Sequence, residues 1–224
     1  MKSSAFIFDL NGTMINDMDY QINAWYKIVN NLGAGISMQN MKEECYGKNE
    51  EVLERIFPGR FSKIEKGRMS LEKEQQYQQV YKPNLRLIQG LEKFLFKVQP
   101  AGIKMAIGSA AIRYNIDFVL DGLNIRPYFD AIVGAEDVLQ SKPHPSTFLQ
   151  AADALQIDPG ACIVFEDNVK GVEAALNSGM NAVVITTIHE RKEFSDYPNI
   201  IDFIDNYDDL EPGEILLMNS LILK

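Results

Sequence analysis

The sequence predicts an α/β fold: a parallel-sheet, Rossmann-like core with a small all-helical cap domain inserted after the first strand. Three observations lead there. Apolar runs at residues 5–10, 103–107, 131–133, 161–165 and 182–185 have the length of buried strands. Helical periods alternate with them after residue 83, as crossover helices do between parallel strands. Residues 14–82 show no strand pattern, so a helical insertion separates the first strand from the others.

Taken in order, residues 6–13 admit two readings. Asn11-Gly12 between apolar residues is a strong hairpin signal, because both tolerate positive φ. Alternatively, a buried strand ends there and presents Asp9 to a ligand. No strand pattern follows Gly12 to pair with the first, which decides for the second reading. Residues 17–32 are helical: Ile22, Trp25, Tyr26 and Val29 recur at three- and four-residue spacing, and Gly33 is a C-terminal stop. Residues 35–82 are rich in Glu, Lys, Gln and Met. Their short helical segments are separated by Gly47, Pro58-Gly59 and Gly67, with one apolar face of Val52, Leu53, Ile56 and Phe57. Residues 69–81 read as a polar helix with few core residues.

After Pro83, Leu91, Phe94, Leu95 and Val98 form a helical face. A strand at 103–107 runs into the turn Gly108-Ser109-Ala110. Helix 113–123, strand 131–133, helix 145–155, strand 161–165, helix 169–178 and strand 182–185 follow. The expected division is a core of residues 1–14 and 84–224 and a cap of residues 15–83. Its hinges are expected near residues 14–17 and 82–84.

The 224 residues suffice for one core and a smaller insert. A formal net charge of -9 argues against nucleic-acid binding, which needs a basic footprint. It does not exclude a phosphate ligand, which a few cations and backbone N–H groups can hold. The two cysteines stand far apart: Cys162 reads as a small core residue, Cys45 as a partly exposed thiol. Neither suggests a disulfide framework, so a cytoplasmic location is expected. No apolar stretch reaches transmembrane length, and the first apolar run is too short for a signal peptide. The expectation is a monomer with no membrane and no nucleic-acid partner.

In an open α/β sheet, ligands bind outside the carboxyl ends of the strands. That rule collects Asp9, Ser109 and the pair Glu166-Asp167, with Lys142 in the loop Ser-Lys-Pro-His-Pro. Each alone has a simpler reading: a turn residue, a helix N-cap, a cap before the helix at 169, a solvated charge. Together they suit phosphoryl transfer. Asp9 and Asp167 can bind a hard cation, and Asp9 can attack phosphorus. Ser109, nearby backbone N–H groups and Lys142 can stabilise the equatorial oxygens. His144, between two prolines, and His189 read as loop residues; so separated, they do not suggest a zinc site. Met38, Met41 and Met69 read as packing residues.

Asp9-Leu10-Asn11-Gly12-Thr13, Gly108-Ser109, Lys142-Pro143, and Glu166-Asp167 with Gly171 resemble the four ordered motifs of the haloacid dehalogenase superfamily. The insertion after the first motif resembles the helical cap of its β-phosphoglucomutase-like branch. The resemblance implies that Asp9 is the nucleophile and forms an aspartyl-phosphate. It implies Mg²⁺ held by Asp9, the backbone carbonyl of Asn11 and Asp167, with Glu166 beside them. It implies phosphate held by Ser109, Ala110 and Lys142, with Lys73 and Arg113 as further substrate contacts. The partner would be a small phosphorylated metabolite.

The sequence departs from the family at informative positions. Family phosphatases and mutases have an Asp where Asn11 stands, and that Asp handles the proton of the leaving and incoming oxygens. An amide cannot, so acid–base help worth about 10²–10⁴-fold should be missing. Three readings of Asn11 remain open: an engineered inactivating substitution, a natural residue of a slow phosphatase or a non-catalytic phosphate-ester binder, or an Asn-Gly site that deamidates to Asp. Glu50 falls about where the mutases have a phosphate-binding arginine, and Gln21 where they have a histidine. The expected function is therefore phosphatase action on a small phosphomonoester such as a sugar phosphate. A phosphomutase or a binder is the alternative. A dehalogenase fits less well, since that reaction needs no cation site.

Overall fold

The structure, a computed structural model, describes residues 4–222. Its centre is a six-stranded parallel sheet in the order β3-β2-β1-β4-β5-β6. The strands are β1 (Ala5–Phe8), β2 (Lys104–Gly108), β3 (Ala131–Val133), β4 (Cys162–Glu166), β5 (Asn181–Ile185) and β6 (Ile200–Ile204). Helices α1 (Met18–Asn31), α2 (Met38–Glu44), α3 (Asn49–Ile56) and α4 (Lys63–Tyr81) follow β1. The remaining helices are α5 (Leu91–Val98), α6 (Arg113–Gly122), α7 (Ser146–Leu155), α8 (Val169–Asn177) and α9 (Pro212–Ile222).

β1 is central because it is apolar on both faces, and the two-residue alternation of a strand feeds two cores. Phe6 and Phe8 point to one face, where α5, α6 and α9 supply Leu91, Phe94, Ile116, Val119 and Ile215. Ala5 and Ile7 point to the other, against Phe148 and Ala151 of α7 and Val172 and Ala175 of α8. Phe8 stacks on Phe165 of β4 at 4.6 Å between ring centroids. The ladder Phe6↔Ile163, Ile7↔Val164, Phe8↔Phe165 thus brings the carboxyl ends of β1 and β4 level. β2 lies on the opposite side of β1, with Phe8 opposite Ile107. The strand order reverses direction at β1, the crevice position where open α/β sheets bind ligands.

The four helices after β1 have an apolar cluster of their own, built on Trp25, Val29, Met41, Val52, Leu53 and Met69. Met38 packs against it, as a packing methionine does.

The first turn is real, but it does not make a hairpin. Gly12 adopts φ +80°, and its N–H donates to the Ile15 carbonyl at 2.8 Å. Ile15 then forms an isolated antiparallel bridge with Leu87 rather than starting a returning strand.

Three sequence expectations need correction. Gly67 does not break a helix; it lies inside α4, which starts earlier because Ser62 and Glu65 form a capping box. α4 is not poor in buried residues: Met69, Ser70, Lys73, Glu74, Tyr77 and Tyr81 are all buried, and half of that face is polar. Ser109 is not an N-cap, since α6 is preceded by Ile112. The sequence reading also passed over β6 and α9. β6 is an edge strand with Asp202 in its middle, so its apolar period is broken.

One glycine ties fold to site. A Cβ on Gly171 of α8 would stand 1.8 Å from Glu166 Oε1 and 1.9 Å from its carboxyl carbon. Glu166 cannot swing away, because its carboxylate is held from three sides, as described below. Gly171→Ala should therefore cost about 1–3 kcal/mol through overpacking, despite alanine's better helix propensity. Urea unfolding of the variant checks this, and an unchanged or raised midpoint would contradict the packing.

Candidate active site

Asp9, Glu166 and Asp167 are brought together by the level ends of β1 and β4. All three are at least nine-tenths buried. The Asp9 N–H donates to the Phe165 carbonyl at 3.0 Å, extending the ladder by one residue and fixing where the side chain emerges. Lys142 lies between two of the carboxylates: its Nζ donates to Asp9 Oδ1 and to Glu166 Oε1, each at 2.6 Å. Glu166 Oε2 accepts the backbone N–H groups of Asp167 and Asn168, each at 2.9 Å. Thr13 donates its hydroxyl to Asp167 Oδ1 at 3.0 Å. Gly12 has to be glycine, since a Cβ there would lie 2.0 Å from Asp167 Oδ2.

The charge state follows from this crowding. Burial pushes the Asp9 carboxyl up to about 7, against the pull of the Lys142 ammonium. Burial, with Glu166 and Asp9 as neighbours, also holds Asp167 well above the ordinary carboxylate range. Lys142 is held above its ordinary value despite its burial, because Asp9 and Glu166 flank it. Among the described residues one ammonium thus faces three buried carboxylates, and the site has room electrostatically for a cation. No three His, Cys, Asp or Glu side chains among the described residues already converge as a metal cluster.

Ser109 follows β2 and is 2% exposed. Its N–H donates to the Val133 carbonyl at 3.0 Å, and its hydroxyl accepts the Ala111 N–H at 3.2 Å. Asp9, Asn11, Ser109, Ala110, Lys142, Glu166 and Asp167 line one cavity of about 110 Å³. Gln21, Trp25, Asn49, Lys73 and Glu74 line it from the helices after β1. Arg113 is not among the lining residues. Its guanidinium donates to Asp137 at 2.7 Å and to the Ile132 carbonyl at 3.3 Å, on the outside of the core. Glu50 does not line the cavity either; its neighbour Asn49 does. His144 pairs with the Ser146 hydroxyl at 2.6 Å and His189 with Glu193 at 3.0 Å; neither lines the cavity, though His189 lies 3.4 Å from Asn168, which does. Cys45 lines the cavity, but burial pushes its thiol up to about 11, so it is no ready nucleophile.

Sequence reasoning missed Asp17. It is fully buried, and its carboxylate accepts four donors. Oδ2 takes Asn11 Nδ2 at 2.6 Å, the Tyr77 hydroxyl at 2.6 Å and Gln21 Nε2 at 3.0 Å. Oδ1 takes the Gly12 N–H at 3.2 Å. Burial holds the Asp17 carboxyl above its ordinary range, opposed by these hydrogen bonds. The residue thus joins the loop after β1 to α1 and α4. The only sequence signal was an acid just before a helix, which reads as an ordinary N-cap; here the side chain makes no cap bond.

Two predictions come from these groups. Asp17→Ala would strand four donors at a buried spot and should cost at least ~3 kcal/mol, whereas Tyr77→Phe removes one donor and should cost about 1–2 kcal/mol. Urea unfolding of both variants measures the order, and equal losses would refute the shared-acceptor account. For Asp9 the sign is set by its raised folded pKa. Its contribution to stability is complete below the unfolded value of 3.8 and is lost as pH rises through about 7. In EDTA, Asp9→Asn should therefore gain stability relative to the parent between pH 4 and about 8; a parallel pH profile for the two proteins would contradict the shift.

Comparison with known proteins shows the family and the fold. The family model for haloacid dehalogenase-like hydrolases matches residues 6–185. The chain is 32% identical over 187 residues to a β-phosphoglucomutase of Bacillus subtilis, covering 80% of this chain and 81% of that protein. It is 26% identical over 182 residues to a fructose-1-phosphate phosphatase of Escherichia coli, covering 81% and 96%. Among solved structures, a β-phosphoglucomutase from Clostridium difficile superposes with a TM-score of 0.85 at 28% identity, covering 99% of both chains.

Proposed function

The chain belongs to the haloacid dehalogenase-like hydrolases, and from that premise we propose that it transfers the phosphoryl group of a small phosphomonoester, such as a sugar phosphate, through an aspartyl-phosphate on Asp9 with Mg²⁺ as cofactor. The observation that carries this reading is the convergence of Asp9, Ser109, Lys142 and Asp167 on one cavity wall. Relatives named as a fructose-1-phosphate phosphatase and a phosphoglucomutase support the substrate class.

The donor set fits Mg²⁺, which takes one or two carboxylates and keeps several waters. Asp9 and Asp167 supply hard oxygens, and burial, which pushes both carboxyls up, is a penalty that a cation beside them would offset. Asp9, the Asn11 carbonyl and Asp167 would hold the ion. Both oxygens of Glu166 already accept hydrogen bonds, so Glu166 acts beside them by positioning Lys142. When bound, Mg²⁺ would keep Asp9 ionised near neutral pH and offset charge on the phosphate oxygens.

Asp9 attacks phosphorus in line as the bond to the departing alcohol breaks. Ser109 and Lys142 hold the equatorial oxygens; two N–H groups of Lys142 are used by carboxylates, and the third is free for phosphate. Water then cleaves the aspartyl-phosphate. Residues 15–83 act as a cap over the cavity and limit solvent access. The departing oxygen needs a proton; the amide of Asn11 cannot supply it, so in this chain water must, which makes the step slow. Asn11 thus favours a second reading, a phosphate-ester binder with little turnover.

The Asn11–Asp17 contact dictates the test. Asn11→Asp alone would set two carboxylates against each other at a 2.6 Å contact. Exchanging them, Asn11→Asp with Asp17→Asn, keeps one carboxylate and one amide donor in the pair. The double variant should raise kcat on a phosphomonoester panel by about 10²–10⁴-fold over the parent, and by more than the single variant does. Asp9→Asn should abolish covalent phosphorylation in every background. Parent and double variant that both bind phosphate and Mg²⁺ but turn over no ester would establish the binder instead.

A further inference from the structure

We propose that Glu51 is a positioning residue for Lys142: reaching from α3 to Ser141, it latches the cap shut and fixes the lysine loop in the same contact, so the phosphate site is complete only under a closed cap. The latch deepens the reading of Lys142 as a phosphate contact beneath a cap, and rests on it.

The helices after β1 bond to the core in two places. One lies beside the connecting segments. There Asp17 accepts Asn11 Nδ2 and the Gly12 N–H, and Gln78 Nε2 donates to the Tyr114 carbonyl and to Asn115 Oδ1, each at 3.3 Å. The other place is remote from both connections in sequence. Glu51 Oε2 accepts the Ser141 hydroxyl, and Oε1 accepts the Ser141 N–H at 3.4 Å. Lys48 Nζ donates to the Val138 carbonyl at 2.8 Å. Contacts beside a hinge can persist while a domain swings, whereas contacts remote from it must break.

Both core partners belong to residues 138–141, which run straight into Lys142. Ser141 and Lys142 are buried, while Leu139 between the two contact points is 97% exposed. After the lysine, the Pro143 carbonyl accepts Asn177 Nδ2 at 3.0 Å. Lys142 is thus anchored on one side by the core and on the other by the cap. Neither Glu51 nor Ser141 lines the cavity, but Gly47 and Lys142 do, so Glu51 acts through the lysine loop and not on a ligand. A Cβ on Gly47 would lie 2.6 Å from Glu51 Oε2 and 2.9 Å from Ser141 Oγ, which places the latch directly against the cavity wall. Glu51 Oε2 also accepts the Lys48 N–H at 3.0 Å, the cap bond of α3. That bond holds the carboxylate in place within the cap, ready to meet Ser141.

Trp25 is the single tryptophan, is 1% exposed and lines the cavity, so acrylamide quenching of its fluorescence reads cap opening. On the intact protein, Ser141→Ala removes one bond to a charged acceptor and should raise the quenching constant at least about three-fold. The α3 cap bond survives in this variant, so a frayed helix is not the cause. Lys48→Met removes the second bond and should raise quenching too. Glu51→Gln combined with Ser141→Ala should open no further than Ser141→Ala alone, because the two residues act through one contact. Calorimetry with inorganic phosphate and Mg²⁺ separates positioning from closure. Ser141→Ala should bind phosphate about ten-fold more weakly than the parent, and Lys48→Met within about three-fold, since it leaves Ser141 and Lys142 held. Phosphate should also lower Trp25 quenching in the parent, a measure that needs no variant. Unchanged quenching in both single variants, additive effects of Glu51 and Ser141, or equal phosphate losses in Ser141→Ala and Lys48→Met would overturn the proposal. If phosphate fails to bind the parent, the phosphotransferase reading falls, while quenching without ligand still judges the latch.

Discussion

The contact on which the site depends is the ammonium of Lys142 between Asp9 and Glu166, 2.6 Å from each. Three carboxylates sit at the ends of two adjacent strands, nearly out of water. Such a group is tolerated only when charge and hydrogen bonds compensate it. Lys142 compensates part. The two backbone N–H groups on Glu166 and the Thr13 hydroxyl on Asp167 add neutral dipoles. What remains shows in Asp9 and Asp167, both pushed towards protonation. The same imbalance that weakens the fold electrostatically would be relieved by a cation placed beside these carboxylates.

The sheet explains why the imbalance arises here. β1 must be apolar on both faces to sit between two helix layers, so its polar residues can begin only past Phe8. Stacking of Phe8 on Phe165 keeps β1 and β4 in register. Asp9 and Glu166 then emerge side by side. Glycine at 12 and 171 follows from the same crowding: at each, a methyl group would occupy the space of a carboxylate. Packing and chemistry are therefore not separable in this part of the chain.

The sheet and its ligand-facing strand ends were legible because strand length and helix period are local patterns. Asp9, Ser109, Lys142 and Asp167 could be collected by a topological rule alone. Arg113 could not be excluded the same way; only the fold shows that it faces Asp137 on the outer surface. Asp17 and Glu74 were missed for the opposite reason. An acid before a helix and an acid on a polar helix carry no local mark of burial. Their meaning lies in long-range partners, Tyr77 for one and Asn49 for the other. Gly67 misled because glycine's helix cost of about 1 kcal/mol is small beside nineteen residues of packed helix.

Asn11 gains a different meaning once Asp17 is in view. Read in the sequence, it was a lost carboxylate. In the structure it is an amide that donates to the carboxylate group six residues on, so the pair still holds one carboxyl. A carboxylate at both positions would repel, and an amide at both would leave the pair without a carboxylate. The two positions are thus coupled: the site can place its charge at 11 or at 17, but not at both. Here the carboxylate stands at 17, where it ties the loop after β1 to α1 and α4. The chain has its buried carboxylate at the contact between the loop after β1 and helices α1 and α4, and the proposed phosphoryl transfer would have to do without it at residue 11.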